Sequence, residues 1–220
     1  VVSTPMIDVV APAKNVGVIK TLTGFKYIGE KIRQFENKEI DGTYILGFEE
    51  SYGYLIGTHA RDKDAIVSSL LIAEMAAFYN SKGTSIYKEL QKLYQEFGYY
   101  LEGIKSVTLT GKDGIEKMAN LMTELRETVK DRTIDKNIKI KRDFKTKKEL
   151  IVATGEEKDI LLPVENVIQF VLEDDTYITA RPSGTEPKIK FYFSVNAPTK
   201  EEVEKKLNET MEKFVATLKL

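Results

Sequence analysis

Cysteine is absent from the 220 residues of this chain. Disulfides, thiolate metal sites and cysteine nucleophiles are thereby excluded, and a reducing, cytoplasmic setting fits. Histidine is nearly absent too. His59 stands alone, so a multi-histidine metal site is excluded. No apolar run reaches the roughly 20 residues of a membrane span, and no basic-then-apolar signal segment opens the chain. No membrane partner is expected. An excess of one charge is also lacking. The 33 basic and 34 acidic side chains leave a net charge of −1, which exerts no bulk pull on nucleic acid. Any anion site has to come from local clustering.

What is present is a globular composition. Hydrophobic residues make up 42%, enough for one large domain or two small ones, each with a core. The chain opens on Val1 rather than Met, and its first residues already read as mid-domain, so a fragment is expected.

Residues 1–97 alternate strand-like and helical patterns. "MIDVVA" (Met6–Ala11), "VGVIKTL" (Val16–Leu22) and "TYILGF" (Thr43–Phe48) read as strands. "FKYIGEKIRQFE" between them reads as a helix. Asp64–Asn80 is apolar almost all round and too long for a strand, which predicts a buried helix capped by Asp64. Ile86, Leu90, Leu93 and Phe97 mark another helix. This alternation implies an α/β layer architecture. The texture changes near Gly98. "YYLEGIKSVTLTG" has strand character, and Ile115, Met118, Met122, Leu125 and Val129 stripe a helix capped by Asp113 and Glu116. Asp131–Lys148 is charged and poorly periodic, so it reads as loop or edge strand. "NVIQFVL", "TYITA" and "KIKFYFSV" are strands, the last with Ile189, Phe191, Phe193 and Val195 on one face and Lys188, Lys190, Tyr192 and Ser194 on the other. A capping box, Thr199 to Glu202, opens a last helix that buries Val203, Leu207, Met211, Phe214 and Leu218. Residues 98–220 therefore read as a small α+β domain with an antiparallel sheet and helices on one face.

Three stretches carry candidate chemistry. "RPSGTEPKIK" joins two strands. Alone, Pro182 and Gly184 suit a type I turn and nothing more. Its neighbours change that reading. Arg181 offers a planar fork of donors matched to phosphate oxygens. Ser183 and Thr185 add hydroxyls, Gly184 lets backbone N–H groups approach an anion, and Lys188 and Lys190 follow on the polar face of the next strand. The frame of a P-loop is absent. In "GFEESYGYLIG", strand alternation continued through Ser51 puts Glu49 and Ser51 on one face and Glu50 on the other. That pair suits a sugar's hydroxyls, and the competing reading is a solvated turn. Two acids without a third ligand make a poor metal site. In "HARDKD", Arg61 or Lys63 faces an anionic substrate, or the segment is only a charged loop, the better reading for His59. "TLTGFKYIGEK", with Thr23 and Gly24 closing a strand, is weak by itself.

Together and in this order, "TLTGFKYIG", "GFEESYGYLIG", "RDKDA" and "RPSGTEPKIKFYF" resemble the α-D-phosphohexomutases, most of all the bacterial phosphoglucomutase/phosphomannomutase group. The resemblance covers essentially the whole chain. It implies the third and fourth of the family's four domains. Residues 1–97 correspond to the α/β sugar-binding domain, a three-layer mixed sheet with helices, truncated at its start. Residues 98–220 correspond to the TBP-like α+β domain that binds phosphate. By position, the resemblance implies that Glu49 and Ser51 bind the sugar and that Thr23 and Gly24 lie on the loop that helps choose the epimer. It places Lys63, with Arg61 nearby, on the cleft lining. Arg181, Ser183, Gly184 and Thr185 match the phosphate loop, and Lys190 stands where many members carry a second phosphate-binding arginine.

The family's phosphoserine motif and its D-G-D-x-D-R loop for Mg2+ do not occur in this sequence. No catalytic residue or metal ligand is therefore expected here, and this chain alone is expected to be inactive. The resemblance implies interconversion of glucose 1-phosphate and glucose 6-phosphate through a phosphoserine and glucose 1,6-bisphosphate. Mg2+, the phosphoserine and the remaining N-terminal domains complete the enzyme. A phosphomannomutase, a phosphopentomutase or a standalone sugar-phosphate-binding module are the alternatives.

Overall fold

The computed structural model describes residues 1–111, 113–127, 138–184 and 186–218. The chain divides into two compact units, Val1–Phe97 and Gly98–Leu220.

The first unit is α/β, with the order α1 (Ile7–Ala13), α2 (Phe25–Glu36), β1 (Leu46–Glu49), β2 (Gly53–Ile56), α3 (Ala65–Ser81) and α4 (Ile86–Phe97). Met6–Ala11 is not a strand. The Ser3-Thr4-Pro5 run starts a helix instead: Thr4 Oγ1 accepts the Met6 N–H at 3.3 Å, and the Pro5 carbonyl accepts the Asp8 N–H at 2.9 Å. The helix closes where Asn15 turns to φ +57° and the Val16 N–H reaches back to the Ala11 carbonyl. Residues 16–22 form no strand, because no ladder partner lies beside them among the described residues.

α2 buries Phe25, Ile28 and Ile32 on one stripe, and with Leu55 of β2 these form the unit's core, flanked by Tyr44 and Ala60. The β1–β2 hairpin is antiparallel, with Leu46 opposite Ile56 and Glu49 opposite Gly53. It lies directly on α2. A Cβ at Gly47 would stand 2.5 Å from Ile28 Cγ2. Tyr44 ties the hairpin down by donating its hydroxyl to the Leu55 carbonyl at 2.9 Å. Among the described residues this hairpin is the unit's only sheet.

Asp64 caps α3 as its position suggests, accepting the N–H groups of Ile66 and Val67 at 2.9 and 3.0 Å. The helix is not buried, however. Ser68 is its one buried residue, while Ile66 and Leu70 are 84% and 68% exposed. Two short strands cannot cover a helix that is apolar all round.

Among its described residues the second unit is one antiparallel sheet with two helices. Its elements are β3 (Tyr99–Thr108), α5 (Gly114–Glu127), β4 (Ile138–Asp143), β5 (Lys148–Ile151), β6 (Glu156–Asp159), β7 (Ile168–Leu172), β8 (Tyr177–Pro182), β9 (Lys188–Ala197) and α6 (Lys200–Thr217). The strand order is β3-β9-β8-β7-β4-β5-β6. Ile178 stands opposite both Phe193 and Phe170, and Ala180 opposite both Phe191 and Ile168. These residues, with Ile189 and Val195, make one apolar sheet face. Leu121, Met122 and Leu125 of α5 and Val203, Leu207 and Phe214 of α6 close over it. Each such buried side chain contributes about 1.5–3 kcal/mol. Thr199 caps α6, its hydroxyl accepting the Glu202 N–H at 3.2 Å. Lys206 then fastens α6 to the strands, reaching the Asp174 carboxylate at 2.8 Å and the Asn196 carbonyl at 3.0 Å.

Asp131–Lys148 departs from its loop or edge-strand reading. Residues 131–137 lie outside the described residues, and 138–143 form β4, an inner strand between β7 and β5. Its ladder shifts register between Ile138 and Ile140. This bulge turns the two isoleucines to opposite faces and erases the alternation in the sequence.

Candidate functional site

In the first unit the chemistry-bearing residues gather where α2 begins. Gly24, at φ +126°, precedes the helix in a conformation that only glycine adopts freely. Its N–H donates to Glu49 Oε1 at 2.5 Å. The last side chain of β1 thus meets one of the free donors at the start of α2, where a carboxylate is favoured by the helix dipole. The alternation expected to run through Ser51 stops at Glu49. Glu50, Ser51 and Tyr52 form the hairpin turn, with Tyr52 at φ +62° and 90% exposed. Ser51 is exposed in that turn and does not share a strand face with Glu49. Thr23 precedes Gly24 and is half-buried.

Lys63 and Arg61 separate in role. The Lys63 side chain crosses Gly53, where an added Cβ would come 3.2 Å from its Cδ. It ends with Nζ 5.1 Å from the Phe25 ring centroid, a cation–π contact at the first residue of α2. Arg61 is engaged elsewhere. One guanidinium nitrogen donates to both Glu36 oxygens at 2.7 and 2.6 Å, and another donates to the Thr58 and Ala60 carbonyls. His59 pairs with the second oxygen of Asp64 at 2.8 Å, beside the cap of α3. Glu36 and Phe25 were not singled out by sequence reasoning. Glu36 is one polar residue among many on α2, and only the fold brings it to Arg61.

In the second unit Arg181 of β8 stands directly opposite Lys190 of β9, and both point away from the helix-covered face. Neither side chain has a hydrogen-bond or ion-pair partner among the described residues. The β8–β9 hairpin is tighter than a turn centred on Pro182 would make it, because Pro182 is still within β8, opposite Ile189. The Ser183 N–H donates to the Lys188 carbonyl at 2.7 Å, and the Ser183 hydroxyl accepts the Glu186 N–H at 3.3 Å. Gly184 has open space where a Cβ would stand and no positive φ. Its value is an uncovered backbone rather than a special conformation. Thr185 lies outside the described residues. The loop is braced from behind: Leu109 N–H donates to the Pro187 carbonyl at 2.8 Å, and a Cβ at Gly114 would meet the Leu109 carbonyl oxygen at 2.1 Å.

Residues 1–97 match the family model described as phosphoglucomutase/phosphomannomutase, alpha/beta/alpha domain III. A phosphoglucomutase of Staphylococcus aureus is 35% identical over 208 residues, which is 94% of this chain and 37% of that protein. A phosphoglucomutase of Staphylococcus epidermidis is 34% identical over 211 residues, covering 96% and 38%. The chain thus spans somewhat over a third of the length of these relatives. In three dimensions it is similar to the exocytosis-sensitive phosphoprotein pp63/parafusin (a phosphoglucomutase) of Paramecium in its open form. The TM-score is 0.66 at 19% identity over 97% of this chain and 36% of the other, a likeness of fold. Residues 1–97 thus form an α/β/α domain of the phosphoglucomutase/phosphomannomutase kind, and over nearly its whole length the chain is similar to phosphoglucomutases.

Proposed function

We propose that this chain is the substrate-gripping part of a phosphoglucomutase that interconverts glucose 1-phosphate and glucose 6-phosphate through a phosphoserine and glucose 1,6-bisphosphate. One observation carries the reading. Arg181 and Lys190 are like charges set directly opposite on a strand pair, with no acidic partner among the described residues. Such a pair is unfavourable unless an anion sits over it. A bidentate guanidinium beside an ammonium, with the Ser183–Gly184 backbone next to them, suits a phosphate's oxygens.

The roles follow from that grip. Arg181, Ser183, Gly184, Thr185 and Lys190 hold whichever phosphate is not reacting. Glu49 accepts sugar hydroxyls with the oxygen not bound to Gly24, with Thr23, Gly24 and Ser51 beside it, and Lys63 supplies positive charge. Phosphoryl transfer depends mostly on positioning and electrostatic stabilisation, so a grip that serves both orientations of the bisphosphate contributes directly to rate. Mg2+ supplies charge neutralisation at the transferred group when bound. The residues present do not fit it: among the described residues no three acidic or histidine side chains cluster.

The test is turnover by the longer protein that contains this segment, with glucose, mannose and ribose 1-phosphates compared in the presence of Mg2+. Preference for glucose 1-phosphate, lost in Arg181→Ala, is the expected result. Equal use of mannose or ribose 1-phosphate would reassign the sugar, and unchanged turnover in Arg181→Ala would remove the phosphate reading.

A further inference from the structure

We propose that Glu36 and Arg61 act together as a positioning pair that holds Lys63 across Gly53 and over the Phe25 ring, beside the Glu49–Gly24 contact. Residues 57–64 connect β2 to α3 and carry Lys63. A segment of this length with a glycine at φ +73° at its start has many alternatives to its observed path. Its far end is fixed, since the Asp64 N–H donates to the Tyr54 carbonyl at 2.8 Å. Its middle is held by Arg61, together with the His59–Asp64 pair and the packing of Ala60 on the core of the unit. The guanidinium folds back onto the Thr58 and Ala60 carbonyls at 2.6 and 3.0 Å and reaches across to Glu36 at the end of α2.

The contact with α2 is close along the backbone as well. A Cβ at Gly29 would come 3.0 Å from the Arg61 carbonyl oxygen and 3.5 Å from its Cβ, so glycine at this position lets the segment lie against the helix. α2 thereby sets both partners. Its first residue, Phe25, receives Lys63, and its last, Glu36, receives Arg61. The ion pair is nearly half-exposed on both sides, at 47% and 42% of side-chain surface. Exposed pairs of this kind contribute little to global stability. What selects one path for the segment is that a single guanidinium is held at two points, one nitrogen on Glu36 and another on the Thr58 and Ala60 carbonyls. The consequence for substrate rests on the sugar-phosphate reading of Lys63; the positioning itself does not.

The experiment separates the two. Lysine labelled with 13C reports Lys63 directly, because an ε-methylene held over an aromatic ring is shifted upfield, and Lys63→Arg assigns the signal. Glu36→Gln and Arg61→Lys are expected to move that signal to the position of an unstructured lysine. Glu36→Asp, which keeps the charge, is expected to restore part of the upfield shift. Melting temperature is expected to stay within about 3 °C of the parent in Glu36→Gln. An unmoved Lys63 signal in a folded Glu36→Gln variant overturns the proposal. Titration with glucose 1,6-bisphosphate then tests the underlying reading. A displaced Lys63 signal with unchanged affinity upholds the positioning pair and removes Lys63 from the substrate site.

Discussion

Arg181 and Lys190 face each other across the β8–β9 ladder without a counter-ion among the described residues. Directly opposed like charges normally destabilise a strand pair by a few tenths of a kcal/mol to about 1 kcal/mol. The sheet tolerates them because its opposite face is so well packed. Pro182, Ala180 and Ile178 of β8 stand opposite Ile189, Phe191 and Phe193 of β9, and the latter five of these six residues are fully buried. The hydrophobic face holds the ladder in register while the other face carries the two opposed cations.

Arg181→Ala should therefore weaken glucose 1,6-bisphosphate binding at least about tenfold, the magnitude of losing charge-assisted hydrogen bonds to an anion. Glu50→Ala, in the turn beyond β1, should change it little. Without ligand, Arg181→Ala should leave stability unchanged or slightly raised, because it relieves the repulsion. Calorimetric titration of both variants against the parent decides. Equal losses for the two would show that the turn, not the β8–β9 pair, dominates binding.

The brace behind the loop gives a second expectation. In Gly114→Ala the new Cβ collides with the Leu109 carbonyl oxygen and comes within 3.0 Å of Pro187 Cβ. The backbone must give, at a cost of about 1–3 kcal/mol. Because Leu109 is hydrogen-bonded to Pro187, the displacement passes to the end of the β8–β9 loop, the proposed phosphate site. Urea unfolding should show the lost stability, and bisphosphate titration should show weaker binding. Loss of stability with undiminished binding would mean that the loop holds its shape without α5.

Phe214 tests the core that this face depends on. It is 1% exposed and meets Phe191 and Phe193 edge-on, with ring centroids 5.3 and 5.6 Å away. Phe214→Ala should cost about 3–5 kcal/mol by urea denaturation. A cost below 1 kcal/mol would mean that α6 is not a required layer of the sheet.

How much of this was legible in the sequence depended on whether local pattern and tertiary partner agreed. Thr199 and Glu202 stand three residues apart in the chain, the spacing of a capping box, so the cap of α6 could be read directly. The strict alternation of Ile189, Phe191, Phe193 and Val195 matched one apolar sheet face, although Tyr192 and Ser194 on the other face are buried as well. The family was legible because its motifs are short and ordered. What failed did so for physical reasons. Met6–Ala11 has strand-like residues, but Thr4 and Pro5 ahead of it start a helix. The Glu49–Ser51 alternation assumed a strand that ends at Glu49, where Gly53 closes the hairpin. The Arg61–Glu36 contact could not be read, because Glu36, 25 residues away, carries no local signature. In β4 a bulge at Lys139 concealed an inner strand.

The cap of α3 should respond to acid. The Asp64 carboxyl is held below its ordinary value of 3.8, first by the hydrogen bond with His59 and then by the Val67 and Ile66 N–H groups. A depressed carboxyl pKa stabilises the fold above the unfolded value, and that contribution is lost as pH falls through the folded value. The window therefore lies below about pH 4. Asp64→Asn keeps an acceptor for the helix but not the charge. Its melting temperature should fall below the parent's at pH 7 and converge with it as pH drops through that window. A gap that stays constant down to pH 2.5 would show that the charge contributes nothing.

The segment's own chemistry sets the last expectation. In the proposed roles Arg181, Lys190 and Lys63 neutralise phosphate charge and Glu49 orients hydroxyls, and none of the four is assigned as a phosphoryl carrier. The sequence has no serine followed by His-Asn-Pro and no D-G-D-x-D-R loop. Positioning without a phosphoryl donor leaves the bisphosphate bound and unreacted, since the reorienting intermediate returns its phosphoryl group to nothing. The purified 220-residue chain should therefore bind glucose 1,6-bisphosphate yet convert no glucose 1-phosphate in a coupled assay with Mg2+. Turnover that persists through repurification and is abolished by Arg181→Ala would show that a phosphoryl acceptor lies within this chain after all. The first place to seek it would be the hydroxyls beside the two opposed cations, beginning with Ser183.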